Sequence, residues 1–309
     1  MTMKLLVVLS ALQLAMVVDA ASASYGGHSM VAPLRRVIVR RPDVAFGSAD
    51  PVAWHYTAQP NLLVAQKEHD HIVDILRNEG VEVLYHDADL PRHADSIFVH
   101  DPILITNHGA IVLRMGKALR CGEESAIADM VKSLGIPILY TLHGDATAEG
   151  GDILWIDEKT LVVGRGFRTN QEGINQIRVA LAPYGVDVLQ VDLPYDQGKD
   201  ACLHLQSLIS FVDYDLAVVY LKYLPVAFFE MLQQRGINLI TVSKTEYLAM
   251  APNILAIKPG VVLMLQDNIE LIMKLMSVGC KVYTYQGNEI SHKAEGGATC
   301  LTRPVLRVF

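Results

Sequence analysis

The phrase Asn78-Glu-Gly80-Val-Glu-Val83 returns four more times along the chain, as Ser133-Leu-Gly135-Ile-Pro-Ile138, Pro183-Tyr-Gly185-Val-Asp-Val188, Gln234-Arg-Gly236-Ile-Asn-Leu239 and Ser277-Val-Gly279-Cys-Lys-Val282. In each copy the glycine suits the position just past a helix, where a left-handed backbone excludes most side chains, and an apolar strand follows at once. The segment before the first copy supports a helix. Leu62, Ala65, His69, Ile72, Val73 and Leu76 fall on one stripe, with Glu68, Asp70 and Asp74 away from it. Apolar runs between the helices read as hairpins: 103–106 with 110–114, 153–156 with 160–163, and 254–257 with 261–265. Thr169 or Asn170 caps the third helix and Pro183 stays near its end.

Strand, strand, helix, strand recurring about every fifty residues predicts a fivefold pseudosymmetric α/β propeller of ββαβ repeats, with one domain over residues 30–309. Ordinary alternation of helices and strands in an α/β protein is the plainer alternative, since it also puts glycines after helices.

Composition narrows the partners. Over 309 residues, 26 Lys and Arg face 33 Asp and Glu, and the net charge of −7 lacks the basic surface that nucleic acid or an anionic membrane requires. A cationic small ligand suits the chain better. The four cysteines, Cys121, Cys202, Cys280 and Cys300, lie far apart with no CxxC pairing, so they read as reduced thiols and not as a zinc site or a disulfide scaffold. The closest histidines, His69 and His71, point apart at two-residue spacing, so no metal is expected.

Residues 1–24 differ from the rest. Met1-Thr-Met-Lys4, an apolar stretch from Leu5 to Val18, and small residues at Ala21 and Ala23 have the layout of a secretory signal cut after about residue 23. The stretch is too short to span a bilayer comfortably. The competing reading is an upstream extension of a cytoplasmic protein, because an oxidising compartment endangers a nucleophilic thiol.

Polar residues gather shortly after the strand that follows most of the repeat glycines. Ala94-Asp95-Ser-Ile-Phe98-Val-His100-Asp101-Pro102 comes first, then Glu149-Gly-Gly-Asp152, then Cys202-Leu-His204-Leu-Gln206, and last Glu295-Gly-Gly-Ala-Thr-Cys300. In a closed array such loops converge near the axis. Cys300 has the access a thiol nucleophile needs, and His204 can serve it as a proton carrier near neutral pH. Glu149 can orient that imidazole or hold a cation. Asp95 and Asp101 flank the ring of Phe98, a combination that suits a planar guanidinium. Arg168 opens a helix, where it opposes the dipole and is free for an anion such as a carboxylate, and Arg120 follows a strand. Each residue alone has a plainer reading: a structural cysteine, a core histidine, solvated acids, turn chemistry around Pro102, surface arginines. Lys117 and Arg165 read as solvated surface cations.

Together the motifs resemble the guanidino-group modifying enzyme superfamily, within it the dimethylarginine dimethylaminohydrolase and amidinotransferase-related branch. The resemblance runs from about residue 30 to the end and rests on 95–101, 149–152, Val163-Gly-Arg-Gly-Phe-Arg168-Thr-Asn170, Leu203-His204-Leu205 and Gly296-Gly-Ala-Thr-Cys300. It implies a fivefold α/β propeller, with Cys300 as nucleophile, His204 as general acid/base and Glu149 as its acidic partner. It further implies that Asp95 and Asp101 hold the guanidinium, that Phe98 lines the pocket and that Arg120 and Arg168 bind an α-carboxylate. No cofactor is implied. His100 departs from a position often acidic in dimethylargininases, Cys121 stands where a second basic residue is common, and Gln206 replaces a carboxylate frequent in arginine deiminases.

The expected activity is hydrolysis at the guanidino carbon of an arginine derivative, giving citrulline and an amine through a covalent Cys300 amidino-thioether. Amidinotransferase or deiminase-type activity on another guanidino compound, and non-catalytic binding of such a compound, are the alternatives. Oligomeric state is left open.

Overall fold

The computed structural model describes residues 24–199 and 201–308. The secretory reading of the N-terminal segment falls on residues 1–23 and lies outside them. Fifteen strands form five three-stranded sheets. The first holds β1 (Leu34–Val39), β2 (Glu82–Tyr85) and β15 (Arg303–Arg307); the second β3 (Ile103–Thr106), β4 (Gly109–Val112) and β5 (Ile138–Thr141). The third holds β6 (Ile153–Asp157), β7 (Thr160–Arg165) and β8 (Asp187–Asp192), and the fourth β9 (Ile209–Asp213), β10 (Leu216–Val219) and β11 (Asn238–Thr241). The fifth holds β12 (Leu255–Lys258), β13 (Val261–Leu265) and β14 (Lys281–Tyr285).

Every sheet repeats one topology. Its middle strand pairs antiparallel with one neighbour and, after a helix, parallel with the other. The crossover helices are α1 (Leu62–Asn78), α2 (Glu123–Ser133), α3 (Gln171–Leu181), α4 (Val226–Gln234) and α5 (Ile269–Ser277). The fold is therefore a pseudo-fivefold α/β propeller of ββαβ units with no closed barrel. In the first unit the opening strand comes from the far end of the chain, where β15 pairs with β1 and ties the two ends of the ring together.

The five repeat glycines do the same job. Gly80, Gly135, Gly185, Gly236 and Gly279 have φ between 68° and 94°, and an added Cβ would touch nothing within 4 Å, so the backbone conformation alone selects glycine. In four units the residue after the glycine bonds back to the third-last helical carbonyl region: Val81 to Leu76, Ile136 to Val131, Ile237 to Leu232 and Cys280 to Leu275. These are Schellman closures, which satisfy helix carbonyls and turn the chain into the parallel strand. The third unit differs because Pro183 ends α3 through a short 3₁₀ turn, Ala182–Tyr184. Asn170, not Thr169, caps α3 by accepting from the Gly173 amide.

Burial falls across each sheet. The strands β3, β6, β9 and β12 are almost wholly buried, while β2, β5, β11 and β14 are half-exposed. Loops that enter the buried strands therefore point at the middle of the ring. One expectation needs correction: Glu68 is buried, not on the outer face of α1. Its carboxylate accepts from the Glu289 and Ile290 amides at 2.9 and 3.1 Å, which ties α1 to the turn after β14. No helix among the described residues is long and apolar enough to cross a membrane.

Because nothing crowds Gly236, replacing it with Ala should cost only the left-handed backbone term, about 1–2 kcal/mol. Urea denaturation of Gly236→Ala against the wild type checks this; a loss well beyond that range would mean the position is packed.

Candidate active site

Each loop entering a buried strand delivers a polar residue to the centre. Asp95 and Asp101 precede β3, Glu149 precedes β6, His204 precedes β9 and Cys300 precedes β15. The loop before β12 carries Asn253, which the sequence reading passed over. Its side-chain amide donates to Cys300 Sγ at 3.0 Å and its carbonyl accepts from the Thr299 amide at 3.1 Å. The signal for it was available: Ala251-Pro-Asn253-Ile254 sits before a hairpin as Glu149 and His204 do.

Glu149 has no exposed surface and gathers the site around itself. One oxygen accepts from His204 Nε2 at 2.8 Å and from Arg168 Nη1 at 3.2 Å, and the other from the amides of Gly116 and Lys117 at 2.9 and 3.1 Å. Burial opposes its charge, but the His204 bond and the Arg168 guanidinium win and hold its pKa down at about 2. The ionised carboxylate can only accept, so His204 Nε2 carries a proton. The adjoining glycines are steric requirements, since a Cβ on Gly151 would collide with the His204 ring. Thr169 adds a second support. Its hydroxyl donates to Asp152 at 2.6 Å and accepts from the Glu149 amide, and Asp152 in turn accepts from the Leu205 amide at 3.0 Å.

His204 is buried, which disfavours its charge, yet Cys202, Asp152 and Glu149 together raise its pKa well above the ordinary value. Its other ring nitrogen, Nδ1, lies 3.5 Å from Cys202 Sγ. Cys300 remains partly open to the same cavity. Burial and the Asp101 charge push its thiol up to about 11, against the Asn253 bond and His204, which lower it. Burial thus favours the neutral thiol at Cys300, while the surrounding acids and Cys202 favour the protonated form of His204 across the same cavity.

The carboxylates expected to receive a guanidinium are already engaged. Asp95 accepts from Tyr56 Oη at 2.7 Å and from Lys117 Nζ at 2.6 Å. Lys117 is therefore not a solvated surface cation: its side chain is 14% exposed, and its ammonium also donates to the Trp54 carbonyl and lies 5.0 Å from the Trp54 ring centroid. Arg165 is solvated as expected, half-exposed beside Asp192. Asp101 bonds Arg120 Nη1 at 2.6 Å and the Gly151 amide at 3.0 Å; burial opposes its charge, but Arg120 and His204 hold it ionised.

Arg120, expected to bind a carboxylate, lines the central cavity but is largely engaged within the protein. Four of its five N–H groups point to Asp101, the Phe98 carbonyl and Glu123, and the side chain is 3% exposed. It braces the Asp95–Asp101 loop against α2. Arg168 uses Nη1 for Glu149 and also lines the central cavity, with Trp54, Asp95, Phe98, Asp101, Lys117 and Cys300 among its neighbours there.

The three departures from the family pattern lie away from that cavity. His100 donates through Nδ1 to the Thr302 carbonyl at 2.9 Å and accepts from the Gln206 amide at 3.2 Å, so two of the departures form one buried, complementary pair. Burial drives His100 down to about 3, which keeps it neutral and able to accept. Cys121 is exposed, with its carbonyl against His93. Asp101, Glu149 and His204 bring ligand-type atoms within 4.8 Å of one another. Arg120, Arg168 and backbone amides already neutralise those carboxylates, which opposes a divalent ion there.

If Arg120 is a brace, Arg120→Met leaves Asp101 and Glu123 buried without a cation and should destabilise the fold by about 3–5 kcal/mol. Chemical denaturation checks this; an unchanged midpoint with raised KM would return Arg120 to substrate binding.

A family model described as N,N dimethylarginine dimethylhydrolase, eukaryotic, matches residues 53–307. An N(G),N(G)-dimethylarginine dimethylaminohydrolase from Pseudomonas aeruginosa is 24% identical over 268 residues, covering 87% of this chain and 98% of that protein. One from Streptomyces coelicolor is 31% identical over 181 residues, covering 58% of this chain and 65% of that protein. The N-terminal domain of ArgZ, an arginine dihydrolase from the ornithine-ammonia cycle in cyanobacteria, superposes with a TM-score of 0.75 at 21% identity, covering 89% of this chain and 97% of that one, and so shares the fold. The ring of five units, the buried Glu149–His204 pair and the family match over most of the chain agree: the chain belongs to the N,N-dimethylarginine dimethylhydrolase family, enzymes that hydrolyse amidine C–N bonds.

Proposed function

We infer that the protein hydrolyses a methylated arginine to citrulline and an amine through a thioether on Cys300. The observation that carries this reading is the His204–Glu149 hydrogen bond at 2.8 Å, set in the cavity that Cys300 also lines. The guanidinium docks in the cavity that Asp95, Phe98 and Asp101 line. Its positive charge beside the sulfur favours the thiolate, which burial alone disfavours. The thiol proton leaves to water and the sulfur attacks the guanidino carbon.

Carboxylates around the cation keep it charged and electrophilic. As the C–N bond to the alkylated nitrogen breaks, the leaving amine takes a proton from His204, whose raised pKa keeps one available. Nδ1 is the nitrogen for this exchange, because Glu149 holds Nε2 and the contact to Cys202 at 3.5 Å is weak and exchangeable. The products of this half are the amine and an amidino-thioether. Neutral His204 then removes a proton from water as it adds to the same carbon, and collapse expels the Cys300 thiolate and releases the ureido product.

Arg168 is the arginine suited to the substrate carboxylate. It faces both the central cavity and an adjoining one of about 320 Å3 lined by Phe167, Leu193 and Tyr195, which offers space for the amino-acid end. Arg120 acts behind Asp101 as a brace.

Incubation with arginine, monomethylarginine, asymmetric dimethylarginine and agmatine, followed by mass detection of ureido products, tests the reading. Citrulline from a methylated arginine, unchanged in yield by an added amine acceptor, is expected; transfer to the acceptor would make it an amidinotransferase. Cys300→Ser should lose turnover and keep ligand binding, and full activity in that variant would end the covalent mechanism. Cys202 raises the His204 pKa, so Cys202→Ala should lower it and deprotonate the general acid earlier. The alkaline limb of the kcat profile should move to lower pH; an unmoved limb would contradict the assignment of His204 as the acid.

A further inference from the structure

We propose that Lys117 is a built-in competitor for the guanidinium subsite: its ammonium holds Asp95 in the free protein and must give way when a cationic substrate binds. This rests on the function proposed above and adds a residue that sets substrate affinity.

Three observations lead to it. The first is position. Lys117 starts beside the catalytic carboxylate, with its amide on Glu149 at 3.1 Å, and its side chain crosses to Asp95 at 2.6 Å, so it spans the wall of the cavity that Phe98 and Cys300 share. The Trp54 carbonyl at 3.0 Å and the Trp54 ring complete a cradle of a carboxylate, a carbonyl and an aromatic face. Those are the groups that recognise a guanidinium.

The second is space. The cavity that remains beside these groups measures about 30 Å3, room for about two waters and too tight for a guanidino group unless the wall yields. The third is charge. Lys117, Arg120, Arg168 and His204 are the basic groups around the cavity, and Lys117 is the one paired with Asp95, so a guanidinium drawn to that carboxylate displaces the ammonium from it. Arg120, Arg168 and His204 are pinned by paired carboxylates and nearly unexposed, whereas Lys117 is the most exposed member on a flexible stem. Glu295, on the same cavity wall, offers the retreating ammonium a second carboxylate; burial raises its pKa and Lys117 already counters that.

The test compares the wild type with Lys117→Met, Lys117→Gln and Lys117→Arg. Gln keeps a donor for the Trp54 carbonyl without the charge, in case Met disturbs folding. KM is measured for asymmetric dimethylarginine and agmatine, and calorimetry measures binding of methylguanidinium to each variant in a Cys300→Ser background. The Met and Gln variants should bind all three cations about tenfold more tightly, as ~1.4 kcal/mol of relieved competition gives, and the Arg variant should not. Unchanged affinity would overturn the proposal. Weaker binding confined to dimethylarginine would also overturn it, since that makes Lys117 an anchor for the substrate carboxylate. If no guanidino compound is turned over, the proposed function fails, and the methylguanidinium series still decides the role of Lys117.

Discussion

A single carboxylate without exposed surface, Glu149, holds the centre of this protein together. It fixes the His204 ring through Nε2, takes one nitrogen of Arg168, and draws in the backbone amides of Gly116 and Lys117. An ionised acid in that setting would be costly on its own. Four donors from three separate loops make it stable, and those loops can adopt no other arrangement without leaving it unpaired. The His204 imidazole is thereby given its tautomer and its orientation, and Glu149 adds to the upward pKa shift that Cys202 and Asp152 chiefly produce.

The ring geometry explains how so few residues from distant parts of the chain reach one point. Every unit sends the loop ahead of its antiparallel edge strand to the same place, so Asp95, Glu149, His204, Asn253 and Cys300 occupy related positions in five related units. Pairing of β15 with β1 places the last of them, because Cys300 lies just before the strand that closes the ring. The acids of the polar centre are paired with basic groups before any ligand arrives, which lets both persist together at depth. Substrate binding then becomes an exchange of cations more than a simple addition.

The repeat architecture was legible because it rests on local physics: a left-handed glycine after each helix, apolar runs of strand length, and a fixed spacing. The loop residues Asp95, Asp101, Glu149, His204 and Cys300 followed from that register. What the sequence concealed depends on contacts between distant elements. Lys117 reads as a surface cation until Trp54 and Asp95 fold around it. Arg120 carried a usable sign of its bracing role, since Glu123 stands three residues on along the start of α2, but the bond to Asp101 comes from the ring. Glu68 looked solvated because helical periodicity says nothing about the turn after β14 that packs over it. The pairing of His100 with Gln206 was hidden for the same reason, and it turns two departures in a family pattern into one compensated contact.

The account depends most on a covalent bond between Cys300 and the guanidino carbon. Acid quench during turnover of asymmetric dimethylarginine, digestion and mass spectrometry of the peptide carrying Cys300 would reveal it. The expected result is an amidino adduct of the substrate, minus its amine, on Cys300 alone. It should form in the wild type and be absent from Cys300→Ser. Steady turnover with an unmodified Cys300, or an adduct on Cys202 instead, would contradict the assignment.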